Sequence, residues 1–288
     1  MASNKSRQLS ILVINPNTSR HMTDALKPIL ANLRYSDVRF DYFTAPSSKS
    51  VTLDGEKTTQ GISSINSGED SVLSALHCRP FVEPLVSQYD GFLVACYSAH
   101  PLVGMLKDTI QVYEEAHTTA PRKYVTGIFE ASVLTSLSLI SAFQHTSGLE
   151  KVPARNTFGI VSTGSIWETE LSHAVTGMLL NPSDKANSPS SARFAGVATT
   201  GLTAVELHTT SAEEVRRRII NATEQLLRSS SDSVGAVCLG CAGMAGMEEA
   251  VREGCFRAYG QQLGSRVRIV DGVVAGAGML VAACKAEF

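Results

Sequence analysis

Short runs of Val, Ile, Leu and Ala recur along these 288 residues, each closed by Gly, Asn, Ser, Thr or Pro and followed by a longer stretch of helical periodicity. Strands apolar on both faces have to be covered on both faces, so this alternation specifies βαβ units around buried parallel sheets. Strands are expected near 9–14, 38–43, 91–95, 125–128, 157–161, 194–199, 236–239 and 267–270. Helices are expected over 18–32, 67–87, 102–117, 131–146, 166–179, 212–228, 245–263 and 273–283. Ser211, followed by Glu213 and Glu214, carries the N-cap signal of the sixth helix. A composition of 43% hydrophobic and 18% charged residues supplies a core and excludes a disordered chain.

Two segments break the rhythm. Residues 181–193 (NPSDKANSPSSAR) are almost free of apolar side chains and read as a surface loop or insertion. Residues 45–64, with Pro46 and many Ser and Thr, read as a long loop beside the second strand, equally a functional loop or a plain surface excursion. There is also an internal echo. ILVINPNTSRHM (11–22) matches FGIVSTGSIWE (158–168) in its order of strand, polar turn and helix, and Asn15 and Thr163 are 148 residues apart. GFLVACYSAHP (91–101) and GAVCLGCAGMAG (235–246) repeat at nearly the same offset, with Cys96 and Cys241 145 residues apart. The expected architecture is therefore α/β, with two pseudo-symmetric lobes that have parallel-sheet cores and flanking helices, and a site in the cleft between them. The first lobe is placed at 1–118, the second at 119–268, and 269–288 forms a C-terminal helix that returns to the first.

The formal net charge of −2 disfavours nucleic acid as a partner. No apolar run approaches the roughly 18 residues of a spanning helix, and the first ten residues have no signal-peptide core. No membrane partner is expected, and a cytoplasmic location is. Six cysteines spread over this length do not make a disulfide framework. Cys78, Cys255 and Cys284, inside helical stretches, read as small core hydrophobes. Cys96 and Cys241 differ, because each follows an apolar strand and opens the turn into a helix, where backbone amides and the helix dipole favour a thiolate.

Cys238 and Cys241 match C-x-x-C, but Cys238 belongs to the strand and should point into the core, and no second ligand pair stands at metal spacing. Neither a metal nor a cofactor is expected. H-E-x-x-H, the P-loop and G-x-S-x-G are all missing, and the glycines of 272–278 suit close helix packing better than a dinucleotide. His100 could tune Cys96, but reads more simply as an exposed histidine at a helix start. Arg216, Arg217 and Arg218 read as a solvated helix face.

Several segments taken together resemble one family. INPNTS (14–19) with Met22 and Thr23, ACYSAHP (95–101), GIFEAS (127–132), TTGLTAVEL (199–207), LGCAGMAG (239–246) and VDGVVAGAG (270–278) resemble the hydantoin and allantoin racemases of the Asp/Glu racemase superfamily. The resemblance runs through most of the chain in the right order, and LGCAGM is its most specific piece. It implies a cofactor-independent racemase of two α/β lobes, each lending one cysteine, which are Cys96 and Cys241 in this sequence. The implied partner is a small cyclic ureide or hydantoin, and a homo-oligomer is expected. Ser98, Ala99 and His100 stand where bacterial members of the family carry Gly-Asp-Pro, so the resemblance bears on the chemistry more than on the substrate.

Racemisation next to a carbonyl needs a base on one face, an acid on the other and donors for the enolate oxygen. A thiolate and a thiol serve both directions with roles exchanged. Candidate substrate contacts are Asn15 and Thr18 in the first turn, Ser98, Thr163 and Gly164 in the echoing turn, and Ala242 and Gly243 after the second cysteine. Asn15 reads equally as a helix cap. A decarboxylase or isomerase using the same cysteines, or a non-catalytic metabolite binder, remain alternatives.

Overall fold

In the computed structural model, residues 7–53, 57–140, 155–180, 193–230 and 233–288 are described. The chain forms two units, one of residues 1–128 with 273–288 and the other of residues 129–272. The first opens with β1 (Leu9–Asn15), α1 (Arg20–Ala31) and β2 (Val38–Thr44), then a hairpin of β3 (Ser50–Leu53) and β4 (Lys57–Gln60). It continues through α2 (Gly68–Val82), β5 (Gly91–Val94), α3 (Pro101–Ala116) and β6 (Tyr124–Gly127). The second contains α4 (Ile128–Leu139), β7 (Thr157–Ser162), α5 (Ile166–Leu179), β8 (Phe194–Thr199), α6 (Glu206–Thr209) and α7 (Ala212–Ser229), followed by β9 (Val234–Gly240), α8 (Glu248–Gly264) and β10 (Arg268–Asp271). The final helix, α9 (Gly272–Ala286), belongs almost entirely to the first unit.

Each unit is built on a four-stranded sheet, ordered β2-β1-β5-β6 in the first and β8-β7-β9-β10 in the second, with every pairing parallel. The two orders are the same order. Each sheet starts with its inner strand, steps outward once, then crosses back to add two strands on the other side. β1, β7 and β9 are buried along nearly their whole length, as strands covered on both faces must be. Local chemistry fixes the helix starts. Ser19 caps α1 by accepting from the Met22 amide, and Ser67 caps α2 by accepting from the Asp70 amide, while the Asp70 carboxylate accepts from the Asn66 amide. Ser211 caps α7 as expected, accepting from the Glu214 amide.

Residues 45–64 are not one long loop: 50–60 holds the antiparallel pair β3–β4, with Val51 opposite Thr59. The change of unit also falls later than 118, because β6 pairs with β5 in the first sheet. At the other end β10 extends the second sheet, and the chain returns to the first unit at Val273 rather than at 269. The expected helix over 131–146 is α4, which starts earlier at Ile128; its expected end beyond 140, like nearly all of the expected insertion at 181–193, lies outside the described residues. Among the described residues, no helix is long and apolar enough to cross a membrane.

α7 and α8 lie against each other, and Gly254 is one of the places where they touch. A Cβ there would stand 2.5 Å from Thr223 Cβ and 2.8 Å from the Ile220 carbonyl oxygen. Gly254→Ala has to push the helices apart and is expected to cost about 1–3 kcal/mol in a urea unfolding titration. An unchanged midpoint would show that this interface yields.

Candidate active site

The reversal in strand order puts a gap at the carboxyl ends of β1 and β5 in the first unit, and of β7 and β9 in the second. Chains leaving two such strands depart to opposite sides, and open α/β sheets bind ligands in the crevice between them. Both singled-out cysteines stand there. Cys96 is two residues beyond β5, where the Ala95 amide donates to the Ile14 carbonyl at 2.8 Å. Cys241 directly follows β9, and Gly240 is in register with Ser162 at the end of β7. Both are half-buried and neither is in a disulfide, whereas Cys78, Cys238, Cys255 and Cys284 are buried. Cys238 faces the core, with its sulfur 3.1 Å from Ser136 Oγ. Burial pushes the Cys78 thiol up to about 12, and those of Cys255 and Cys284 up to about 11.

In the first unit, the turn after β1 is organised by its own asparagines. Asn15 is buried, and its Nδ2 donates to Asn17 Oδ1, the Ser19 carbonyl and Thr23 Oγ1, all at 3.0 Å, while its Oδ1 accepts from the Asn17 amide. Its amide group is thus spent inside the turn, and the helix cap is Ser19. Asn17 was not singled out from the sequence, yet it links the same turn to Met22 Sδ at 3.4 Å. Thr18 is half-buried, and its amide donates to the Ile62 carbonyl, which ties the turn to the segment after the β3–β4 hairpin.

The loop 96–100 leans on α2. Ser98 is buried, with Oγ 3.5 Å from Cys96 Sγ, and it accepts a hydrogen bond from Ser71 Oγ at 3.2 Å. His100 is buried rather than exposed, which corrects the sequence reading. Its Nδ1 caps α3 by accepting from the Leu102 amide, leaving Nε2 to donate to Ser74 Oγ at 2.9 Å. Burial drives its pKa down to about 3, so the ring is neutral. Pro101 at the first helical position suits this start.

In the second unit, Thr163 is buried, and its carbonyl accepts from the Gly201 amide at 2.9 Å. Ser162 Oγ donates to the Gly240 carbonyl at 2.7 Å, which fixes this turn to the strand that delivers Cys241. Gly164 is half-buried and has open space where a side chain would start. Cys241 is extended and caps a 3-10 turn over Ala242–Met244, its sulfur accepting from the Gly243 amide at 3.4 Å. Desolvation pushes this thiol up to about 11, against the opposing pull of the Gly243 and Met244 amides. A further neighbour that the sequence did not reveal is His208, which follows directly on the TTGLTAVEL segment: a Cβ on Gly243 would stand 2.9 Å from His208 Nε2. Asn15, Thr18, Cys96 and Ser98 thus gather at one sheet end, and Thr163, Gly164, Cys241, Ala242 and Gly243 at the other. Among the described residues, no group of three or more His, Cys, Asp or Glu side chains is placed to hold a metal ion.

The profile of the Asp/Glu/hydantoin racemase family matches residues 11–280. The chain belongs to that family. An uncharacterized protein of Schizosaccharomyces pombe is 30% identical over 272 residues, covering 94% of this chain and 90% of its own length. The allantoin racemase of Pseudomonas fluorescens shares the fold at a TM-score of 0.67 and 21% identity, over 97% of this chain and 92% of that one. The allantoin racemase from Klebsiella pneumoniae does so at a TM-score of 0.65 and 21% identity, over 97% and 89%. The family and these structural neighbours are racemases with the same α/β architecture.

Two outcomes follow from the electrostatics. At pH 8 a thiol of pKa about 11 is about one part in a thousand ionised, so alkylation of Cys241 by iodoacetamide, followed by peptide mass spectrometry, should rise about tenfold per pH unit up to pH 10. A plateau below pH 9 would contradict the burial argument. His100 is neutral when folded and charges more readily when unfolded, so its contribution to stability is complete above about pH 6.5 and is lost as pH falls toward about 3. Over that window His100→Asn, which keeps an N-cap side chain, should show a shallower loss of stability in urea titrations. Equal slopes would show that the ring titrates freely.

Proposed function

We propose that this protein racemises a hydantoin-type ring, allantoin or a 5-substituted hydantoin, without a cofactor and through Cys96 and Cys241. One observation carries the reading: at the reversal of strand order in each sheet stands a half-buried cysteine whose sulfur has a hydrogen-bonding group beside it, Ser98 Oγ at Cys96 and the Gly243 amide at Cys241. The family membership and the names of the structural neighbours support the same chemistry.

The scissile C–H of such a ring lies next to a carbonyl, so its loss leaves an enolate. One sulfur takes that proton as thiolate, and the other returns a proton to the opposite face as thiol. The two then stand in exchanged states, ready for the mirror-image substrate. Burial keeps Cys241 neutral near pH 7, which makes it the proton donor of the resting pair. Once it has given up its proton, the Gly243 amide steadies the thiolate. Thr18, Thr163 and Gly164, in the turns beside the two cysteines, are proposed to meet the ring and its developing charge, together with Ser98 and the Ala242–Gly243 backbone. Asn15 enters this scheme through the turn it braces. Since racemisation has an equilibrium constant of one, kcat/KM shares a single pH profile in both directions. The profile alone therefore does not say which thiol serves which enantiomer.

The test is polarimetry on each enantiomer of allantoin and of several 5-substituted hydantoins. Optical rotation should decay to zero with the substrate mass unchanged, and a changed mass would point to a decarboxylase or another lyase instead. Cys96→Ala and Cys241→Ala should each fold and lose at least about 100-fold in rate, whereas Cys255→Ala keeps its activity. In heavy water, Cys96→Ser and Cys241→Ser should each exchange the ring hydrogen of opposite enantiomers with retained configuration. Exchange of the same enantiomer by both variants would overturn the two-base scheme.

A further inference from the structure

The inner face of α2 is polar where a helix of this kind would ordinarily be apolar: Ser71, Ser74 and His77 are buried beside Cys78. Each has a partner on the carboxyl edge of the first sheet. His77 Nε2 donates to the Pro46 carbonyl at 2.9 Å, Cys78 Sγ lies 3.6 Å from the Pro16 carbonyl, and Ser74 Oγ receives the His100 ring. Ser71 is the member that leads to the sulfur. Its Oγ stands 3.2 Å from Ser98 Oγ and 3.1 Å from the Ser67 carbonyl, and Ser98 Oγ stands 3.5 Å from Cys96 Sγ.

We infer that Ser71 is a positioning residue for Cys96, holding the Ser98 hydroxyl so that its hydrogen points at the sulfur. A serine hydroxyl has one hydrogen, and an ionised sulfur can only accept. When Ser71 donates to Ser98 Oγ, the Ser98 hydrogen is left for an ionised Cys96; with the thiol protonated the chain runs the other way, Cys96 to Ser98 to Ser71 and on to the Ser67 carbonyl, so its direction turns over with the charge on the sulfur. Buried chains of this kind strengthen along their length and favour the charged terminus. Two titratable groups on these elements do not compete near neutral pH. Cys78 on α2 stays protonated up to about 12, and His100 on the same loop is neutral. Ser74 has a different task, since it holds His100 and so the start of α3, with no bond to Ser98.

The inference rests on the proposed function only in treating Cys96 as a proton carrier, and its test is independent of turnover. The pH dependence of Cys96 alkylation by iodoacetamide, read by peptide mass spectrometry, is compared in wild type, Ser98→Ala, Ser71→Ala, Ser71→Thr and Ser74→Ala, with folding checked by circular dichroism. Loss of a hydrogen bond to a thiolate should move the midpoint up by about one pH unit in Ser98→Ala, and in the same direction by a smaller amount in Ser71→Ala. Ser71→Thr, which keeps the hydroxyl, should restore it. Ser74→Ala should lower thermal stability and leave the midpoint in place. A shift in Ser98→Ala without one in Ser71→Ala overturns the role of Ser71, and no shift in either overturns the whole chain. If wild type racemises none of the rings while these midpoints move as stated, the proposed function fails and the positioning chain stands.

Discussion

A parallel strand cannot pair with its neighbour without a crossover, and a sheet that grows first to one side and then to the other has to reverse once. That reversal is the constraint on which the rest depends. At β1 and β5, and again at β7 and β9, the departing chains diverge and leave their carboxyl ends open. A side chain placed in the first residues beyond β5 or β9 is thus held by a buried strand on one side and has space on the other. The cysteines occupy those positions in both units, in turns whose backbone geometry the sheet sets. A half-buried thiol, neither core hydrophobe nor free surface group, is what such a place produces.

How much of this can be read from the sequence follows from what each signal measures. Strands such as ILVIN and VGAVCLG stand out because burial on both faces makes them continuous apolar runs. The equivalence of the cysteine-bearing strands is visible as a repeat offset, because one strand order was used twice. The hairpin β3–β4 escapes, since its strands SVTL and KTTQ are short and largely polar and pair with each other. The unit boundary is misplaced because YVTG has the same appearance whichever sheet it joins. His100 is misjudged for a related reason: its burial depends on Ser74, 26 residues earlier, and no local pattern records that contact. Asn15 could be recognised as a turn residue, but its saturation by Asn17, Ser19 and Thr23 is visible only in three dimensions.

The two thiols are supported by different means, and the difference is physical. At Cys241 the help is backbone: the amides of a 3-10 turn point at the sulfur, so no side chain is needed, and residues 242 and 243 can be as small as Ala and Gly. Desolvation still outweighs those amides and leaves a thiol. At Cys96 the next helix starts later, at Pro101, and its first turn is capped by a histidine ring instead of by the cysteine. Hydroxyls then take the place that amides have in the other unit. In the proposed two-thiol scheme, Cys241 is therefore the filled proton carrier.

The hydroxyls have to come from somewhere rigid, and that accounts for the composition of α2. Loops beyond β1, β2 and β5 each bring a polar group into a region closed to solvent: the Pro16 and Pro46 carbonyls, and the Ser98 hydroxyl with the His100 ring. An unpartnered polar group there would cost about 1–3 kcal/mol. Cys78, His77, Ser71 and Ser74 answer them from one face of one helix. An apolar face would pack as well but would leave the loops unsatisfied and therefore free to move. The same side chains that remove those costs also fix where the three loops stand relative to one another, so the precision of the Cys96 turn comes from α2 as much as from the strand before it. Stability and placement are here one set of hydrogen bonds.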